Sequence, residues 1–216
     1  MKRLSQSALR HGERQVRRML KDRPAMGRYI RPHDRIWTWA VRKFAGEDLS
    51  GPMDWDAGSP YHKATADHVY PCGSERGYIR IKKISGRFSF EQAWARAIFE
   101  LHNIASYEET RKVIRKAYSG RLNKNAFILE MARVEFKAVL KTEKFYQDIW
   151  MPWAGQRGFL HYPADWYVGV PGKFEEWIRH FKKGSRYPWK VYSDFYDDHL
   201  EEWALADRKG KVPGKK

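Results

Sequence analysis

Cysteine is almost missing from this chain. Cys72 is the one thiol in 216 residues, so no disulfide can close within it and a reducing, cytoplasmic setting is expected. Long apolar runs are missing as well. No window of eighteen apolar residues occurs, which leaves nothing to span a membrane. The basic N-terminus is not followed by the apolar stretch of a secretory signal. Nucleophile-elbow, kinase, dinucleotide, P-loop and zinc-finger patterns are absent, as is any repeat of fixed period. Gly73-Ser74-Glu75-Arg76-Gly77 has two glycines but no Lys-Ser/Thr, and it precedes a strand pattern rather than a helix. No cofactor is expected.

Acid is scarce at the two ends. The formal charge is +16, and residues 1–43 hold thirteen Lys/Arg against three Asp/Glu. Residues 208–216 add five cations and no acid, while the 164 residues between are balanced to within one charge. Basicity thus belongs to the termini. Aromatic residues make up 15% of the chain, enough for an aromatic core and too many for global disorder.

Helical periodicity dominates what is present. The expected fold is mainly α, or α+β at most: six to seven helices around one aromatic-rich core, with a minor β element near residues 78–84. The expected organisation is a basic N-terminal helix or arm over 1–28, a single helical domain over 29–207, and a disordered basic tail over 208–216. Residues 4–22 read as a helix ended by Pro24, with Leu9, Val16 and Leu20 on one side and Arg10, Arg14, Arg17, Arg18 and Lys21 around the rest. Such a helix either docks one narrow stripe on the body or acts as an arm for nucleic acid or an acidic protein. It lacks the bulky aromatics of a membrane-surface helix. Asp34 can cap a helix to about Ala45, in which Trp37 and Trp39 cannot both face inward. Residues 46–77, rich in Gly, Pro, Asp and Ser, read as a long loop. Ser106 with Glu109 forms a capping box for a helix to Tyr118, and Asn123 caps the longest helix, expected to stop at Met151-Pro152. A further helix is expected over 173–183. Ser193 is expected to cap a last acidic helix whose Asp197, Asp198, Glu201 and Glu202 could pair with the basic N-terminal helix.

The central stretch is Phe88 to Ala105. Ser89 and Gln92 make a capping box, and Phe90, Ala93, Trp94, Ala97, Leu101 and Ile104 share one face. On that wheel Glu100 lies at the edge of the stripe, while Phe99 and His102 point elsewhere. The segment Phe99-Glu100-Leu101-His102-Asn103 resembles the His-Glu-x-x-His helix of zincin metallopeptidases, with Phe99 and Asn103 in place of the two histidines. The β-prone run Tyr78–Ile84 resembles the edge strand that precedes such helices, and the resemblance extends over residues 78–150. It implies a degenerate zincin-like scaffold. Zincins take zinc on the two histidines and use the glutamate between them as general base, so here only Glu100 survives and ordinary zinc peptidase chemistry is lost.

Candidate catalytic residues are therefore Glu100 and Glu135, the latter inside the apolar stripe of the longest helix. Two carboxylates beside the core faces of helices expected to pack together could form an acid–base pair, or could each be tied down by Arg96 or Arg133. Candidate metal ligands are His62, His68 and Cys72, with Asp67 nearby, although no standard zinc spacing joins them. Three functions remain in view: a non-catalytic helical domain with an interaction or accessory role, a nucleic-acid-associated protein using its basic ends, and a metal-dependent hydrolase using Glu100 or Glu135 with loop histidines.

Overall fold

The computed structural model describes residues 3–49, 51–60, 64–72, 74–83, 89–182 and 187–200, without the side chains of residues 180, 182 and 200. His62, Glu201, Glu202 and the tail 208–216 lie outside the described residues. The protein is mainly helical with one small three-stranded sheet, as the periodicity predicts. Its contacts gather into two compact units, Met1–Tyr107 with Ala138–Gly169, and Glu108–Lys137 with Val170–Lys216.

In the first unit, helix α1 (Gln6–Asp22) starts at Ser5, whose hydroxyl accepts the Ala8 amide at 3.1 Å. Its buried face holds His11, Gly12, Gln15, Val16 and Met19. After the single turn α2 (Pro24–Gly27) comes α3 (Arg35–Phe44), burying Ile36, Trp37, Ala40 and Phe44. Trp39 is only half-buried, at the side of that stripe. Gly12 is where α1 and α3 touch backbone to backbone: a Cβ there would lie 2.1 Å from the Val41 carbonyl oxygen. Three short strands follow, β1 (Asp54–Trp55), β2 (Ala66–Val69) and β3 (Tyr78–Ile81), in the order β1-β3-β2. β3 pairs parallel with β1 and antiparallel with β2, with His68 opposite Ile79. Period two is plain in β3, where Ile79 and Ile81 are buried and Tyr78 and Arg80 are not.

Two of these strands lie within 46–77, the stretch expected to be loop. They are two and four residues long and take their ladder from β3, so local composition carries little trace of them.

Helix α4 (Phe90–Ala105) has the expected capping box, Gln92 amide to Ser89 Oγ at 3.1 Å and Ser89 amide to Gln92 Oε1 at 3.2 Å. It is not the half-buried helix its wheel suggests. Every residue from Ala93 to Ile104 except Arg96 is buried, Phe99, Glu100 and His102 included. β2, β3, α2 and α3 all pack on it, and a helix covered on several sides needs apolar or satisfied groups all round.

The long helix α6 (Lys124–Phe145) begins at Asn123, whose Oδ1 accepts the Ala126 amide at 2.9 Å. Residues 124–137 belong to the second unit and 138–145 to the first. It does not stop at Met151-Pro152. It passes through a π turn, Tyr146–Trp150, into α7 (Met151–Gln156). The widened turn falls where Pro152 has no amide to donate and its ring would meet the carbonyl four residues back. Phe145, Tyr146, Trp150, Trp153 and Trp166 pack as one aromatic group, with Trp150 and Trp166 centroids 4.6 Å apart.

The second unit holds α5 (Tyr107–Tyr118, from Glu108), the first part of α6, α8 (Phe174–Lys182) and α9 (Trp189–Phe195), which runs into a π turn, Tyr196–Leu200. Val113, Ala117, Phe127, Ile128, Met131 and Val134 form its apolar cluster. Two expected caps do not form. The Ser106 hydroxyl donates to the His102 carbonyl at 3.1 Å, closing the preceding helix, and Ser193 sits inside α9, which opens at Trp189 behind Pro188.

Candidate functional site

The residue singled out on α4 meets a residue singled out in the loop. Glu100 Oε2 lies 2.7 Å from His68 Nδ1, and the Asn103 side-chain amide donates to the same oxygen at 3.5 Å. Strand pairing explains the meeting. His68 stands opposite Ile79 in the antiparallel ladder, so both side chains leave the sheet on one face, toward α4. Asp67, one residue along, points the other way and takes the Arg80 guanidinium at 2.6 and 3.0 Å. That bond pushes the Arg80 guanidinium up from its ordinary value. The His68 ring stands edge-on to Tyr70 at 4.7 Å, and Tyr70 lies 5.4 Å from Tyr107. His68 is 19% exposed and Glu100 8%, so the pair runs from the protein interior toward the surface.

The two positions that would carry zinc ligands in a zincin are occupied otherwise. Phe99 packs on Tyr167 at 5.0 Å, and Asn103 is spent on Glu100. Cys72 is exposed, its backbone bridged to Glu75. Among the described residues no three of His, Cys, Asp and Glu converge.

Glu135 belongs to the second unit and is bonded by the hydroxyls of Tyr187 and Tyr192, the latter at 2.6 Å. The expected arginine partners are engaged elsewhere, Arg96 on the Tyr167 hydroxyl and Arg133 on Glu175 at 3.0 Å. A planar aromatic hydroxyl reaches a buried carboxylate without bringing a charge.

Two buried groups escaped the sequence reading. Glu91, in the first turn of α4, accepts the Trp166 indole at 2.8 Å and the Tyr162 amide at 3.1 Å. Its place just after a capping serine, where a helix favours negative charge, was the available signal. His102 is buried against the edge of Trp39 at 5.3 Å, and its Nε2 meets no partner among the described residues. Burial, then the charges of Lys43 and Lys141, pushes that imidazole down to about 3.

The cations of α1 stand apart from these groups. Arg10, Arg14, Arg17 and Lys21 follow one another at helical spacing, diametrically opposite Gly12, Val16 and Met19, and all four are exposed, as is Arg18. Arg17 pairs with Glu13 at 2.6 Å and Arg18 reaches Gln15 at 3.4 Å. Arg10, Arg14 and Lys21 have no ion-pair partner among the described residues. Of the C-terminal acids, Asp197 pairs with Lys124 of its own unit at 2.5 Å, and Glu201 and Glu202 lie outside the described residues. No helix among the described residues is long and apolar enough to cross a membrane. Set against known protein families, curated proteins and solved structures, the chain matches none.

Proposed function

We propose that the protein is a non-catalytic binding module that holds nucleic acid against the outer face of α1. The observation that carries this reading is the row Arg10, Arg14, Arg17 and Lys21, spanning about 16 Å of helix axis at 1.5 Å per residue, on a helix whose other face is seated in the core. Ordered cations cost less to bring to a row of phosphates than cations on a floppy arm. The apolar face of α1 is taken up by α3 and β1, which leaves it nothing to insert into a lipid surface. Duplex DNA offers the matching chemistry, a closely spaced row of phosphates whose counterions are released on contact.

The test is fluorescence anisotropy with a labelled random duplex. Three phosphate contacts predict that raising salt from about 50 to about 200 mM weakens binding about fortyfold. The triple variant Arg10→Gln/Arg14→Gln/Lys21→Gln should lose most of that dependence. Binding that is absent at the lower salt, or equal in wild type and variant, refutes the reading.

A second reading, a metal-dependent or acid–base hydrolase, has one observation in its favour. A carboxylate on Nδ1 of His68 is the arrangement that orients an imidazole for proton transfer through Nε2. It predicts a stoichiometric metal in the purified protein, or a hydrolytic activity lost in Glu100→Gln. A metal-free, inactive wild type removes it.

A further inference from the structure

A second cationic feature lies in the second unit, and neither the N-terminal helix nor the Glu100 pair uses it. Lys112, Arg115, Lys116, Ser119 and Arg121 line one depression of about 420 Å³ at the C-terminal end of α5. Lys112, Arg115 and Lys116 recur at spacings of three and four in α5, so their side chains rise from one face of the helix, and Ser119 follows just past its end. Arg121 reaches the same face because of how the helix ends. The Gly120 amide donates to the Ala117 carbonyl at 3.0 Å, and the Arg121 amide to the Lys116 carbonyl at 2.9 Å, with Gly120 at φ +70°. This is the paired bonding of a Schellman turn, which folds the chain back over the last turn.

All five side chains are exposed, and little opposes their charge. Glu130 comes within 3.9 Å of Lys116. The acids of the first turn of α5 are engaged elsewhere, Glu109 by Lys137 and Glu108 by Arg111 at 3.8 Å. Lys112, Arg115 and Arg121 have no ion-pair partner among the described residues. A helix C-terminus favours cations in its last turn, which accounts for Arg115 and Lys116. Lys112, in the middle of the helix, and Arg121, beyond its end, are outside that effect. The charge collected here exceeds what the helix needs.

We propose that this depression is a binding site for a phosphate-bearing anion that presents two adjacent phosphate groups. Two arginines supply planar forks that match phosphate oxygens, and two lysines supply point charges beside them. Lys112 and Lys116 are about 6 Å apart along the helix axis, a span that one phosphate does not fill and two linked phosphates do. A diphosphate and two consecutive phosphates of a nucleic-acid strand share this chemistry. The site does not depend on α1.

Isothermal titration of the full chain with inorganic phosphate, inorganic pyrophosphate and a short oligo-dT strand tests the proposal. Pyrophosphate or the strand should bind about tenfold tighter than phosphate. Arg115→Gln/Arg121→Gln should weaken that binding about tenfold, and Lys112→Gln/Lys116→Gln should weaken it in the same sense. The variant altered at Arg10, Arg14 and Lys21 should titrate pyrophosphate like wild type, which separates this site from the α1 reading. Loss for pyrophosphate as well as the strand assigns a small diphosphate; loss for the strand alone assigns a nucleic-acid backbone. The proposal is overturned if neither ligand binds more tightly than phosphate. It is also overturned if a folded variant of either pair, judged by far-UV circular dichroism, binds both as wild type does.

Discussion

His102 gives the sharpest stability test. In the unfolded chain its imidazole takes up a proton near pH 6.5, whereas in the fold burial and the charges of Lys43 and Lys141 hold protonation down to about 3. Asp48 is the one nearby charge that acts in the opposite sense. The folding advantage of the neutral ring is therefore complete above pH 6.5 and is lost progressively as pH falls from there toward 3. At about 1.4 kcal/mol per pH unit, moving from pH 7 to pH 5 should remove about 2 kcal/mol. Urea unfolding at the two pH values measures this in wild type and in His102→Phe, which keeps a ring against Trp39 and removes the unpartnered Nε2. The variant should lose about 2 kcal/mol less than wild type over the interval, whatever the other titrating groups contribute to both. Equal losses would refute the argument, because they would mean that His102 is charged in the fold or open to solvent.

Two further perturbations probe how the first unit is held. Gly12→Ala places a methyl 2.1 Å from the Val41 carbonyl and 2.9 Å from the Ala45 amide, so α1 and α3 must separate; the expected loss is about 3 kcal/mol in urea unfolding, and an unchanged midpoint would contradict the backbone contact. Glu91→Ala leaves the Trp166 indole and the Tyr162 amide without their acceptor. It should cost about 3 kcal/mol and shift the tryptophan emission, and a variant as stable as wild type would mean that water or another group takes over the bonds.

Much of the first unit is legible in the sequence because its signals are local. The capping box at Ser89, the β-prone run from Tyr78 and, in the second unit, the Asn123 cap each need only neighbouring residues, and each forms. Of the α1 stripe Leu9, Val16 and Leu20, only Val16 is fully buried, because the docked face turns toward Gly12 and Met19. What escaped depends on residues far apart. β1 and β2 exist through pairing to β3, so composition alone reads them as loop. Ser106 and Ser193 match the cap pattern, but their surroundings already supply a helix: the Ser106 hydroxyl is drawn back to the His102 carbonyl, and α9 begins earlier, at Trp189. The wheel of α4 places Phe99 and His102 off the apolar face correctly. It cannot say that other elements cover that side too. The meeting of Glu100 with His68 is the same case, since each residue was legible as a candidate and the contact between them required the sheet.

The buried acids bear on where the surplus charge goes. Glu91 is met by an indole and a backbone amide, Glu100 by an imidazole and a carboxamide, and Glu135 by two phenolic hydroxyls. The donors to Glu91 and Glu100 carry no fixed positive charge. Glu91 anchors the chain at Tyr162 and Trp166, while Glu100 holds the His68 ring through Nδ1. Arg23, itself buried, follows the same pattern by binding the carbonyls of Ile81 and Ala57 at 2.7 and 3.2 Å. The buried acids Glu91 and Glu100 thus take up no lysine or arginine among the described residues. Among the described residues, cations without an ion-pair partner stand on the surface in the row along α1 and around the end of α5, where like charges repel and cost stability unless something anionic meets them. That unspent repulsion is the physical argument for an anionic partner, and it predicts that polyanions raise the melting temperature of the wild type more than that of either charge-neutralised variant.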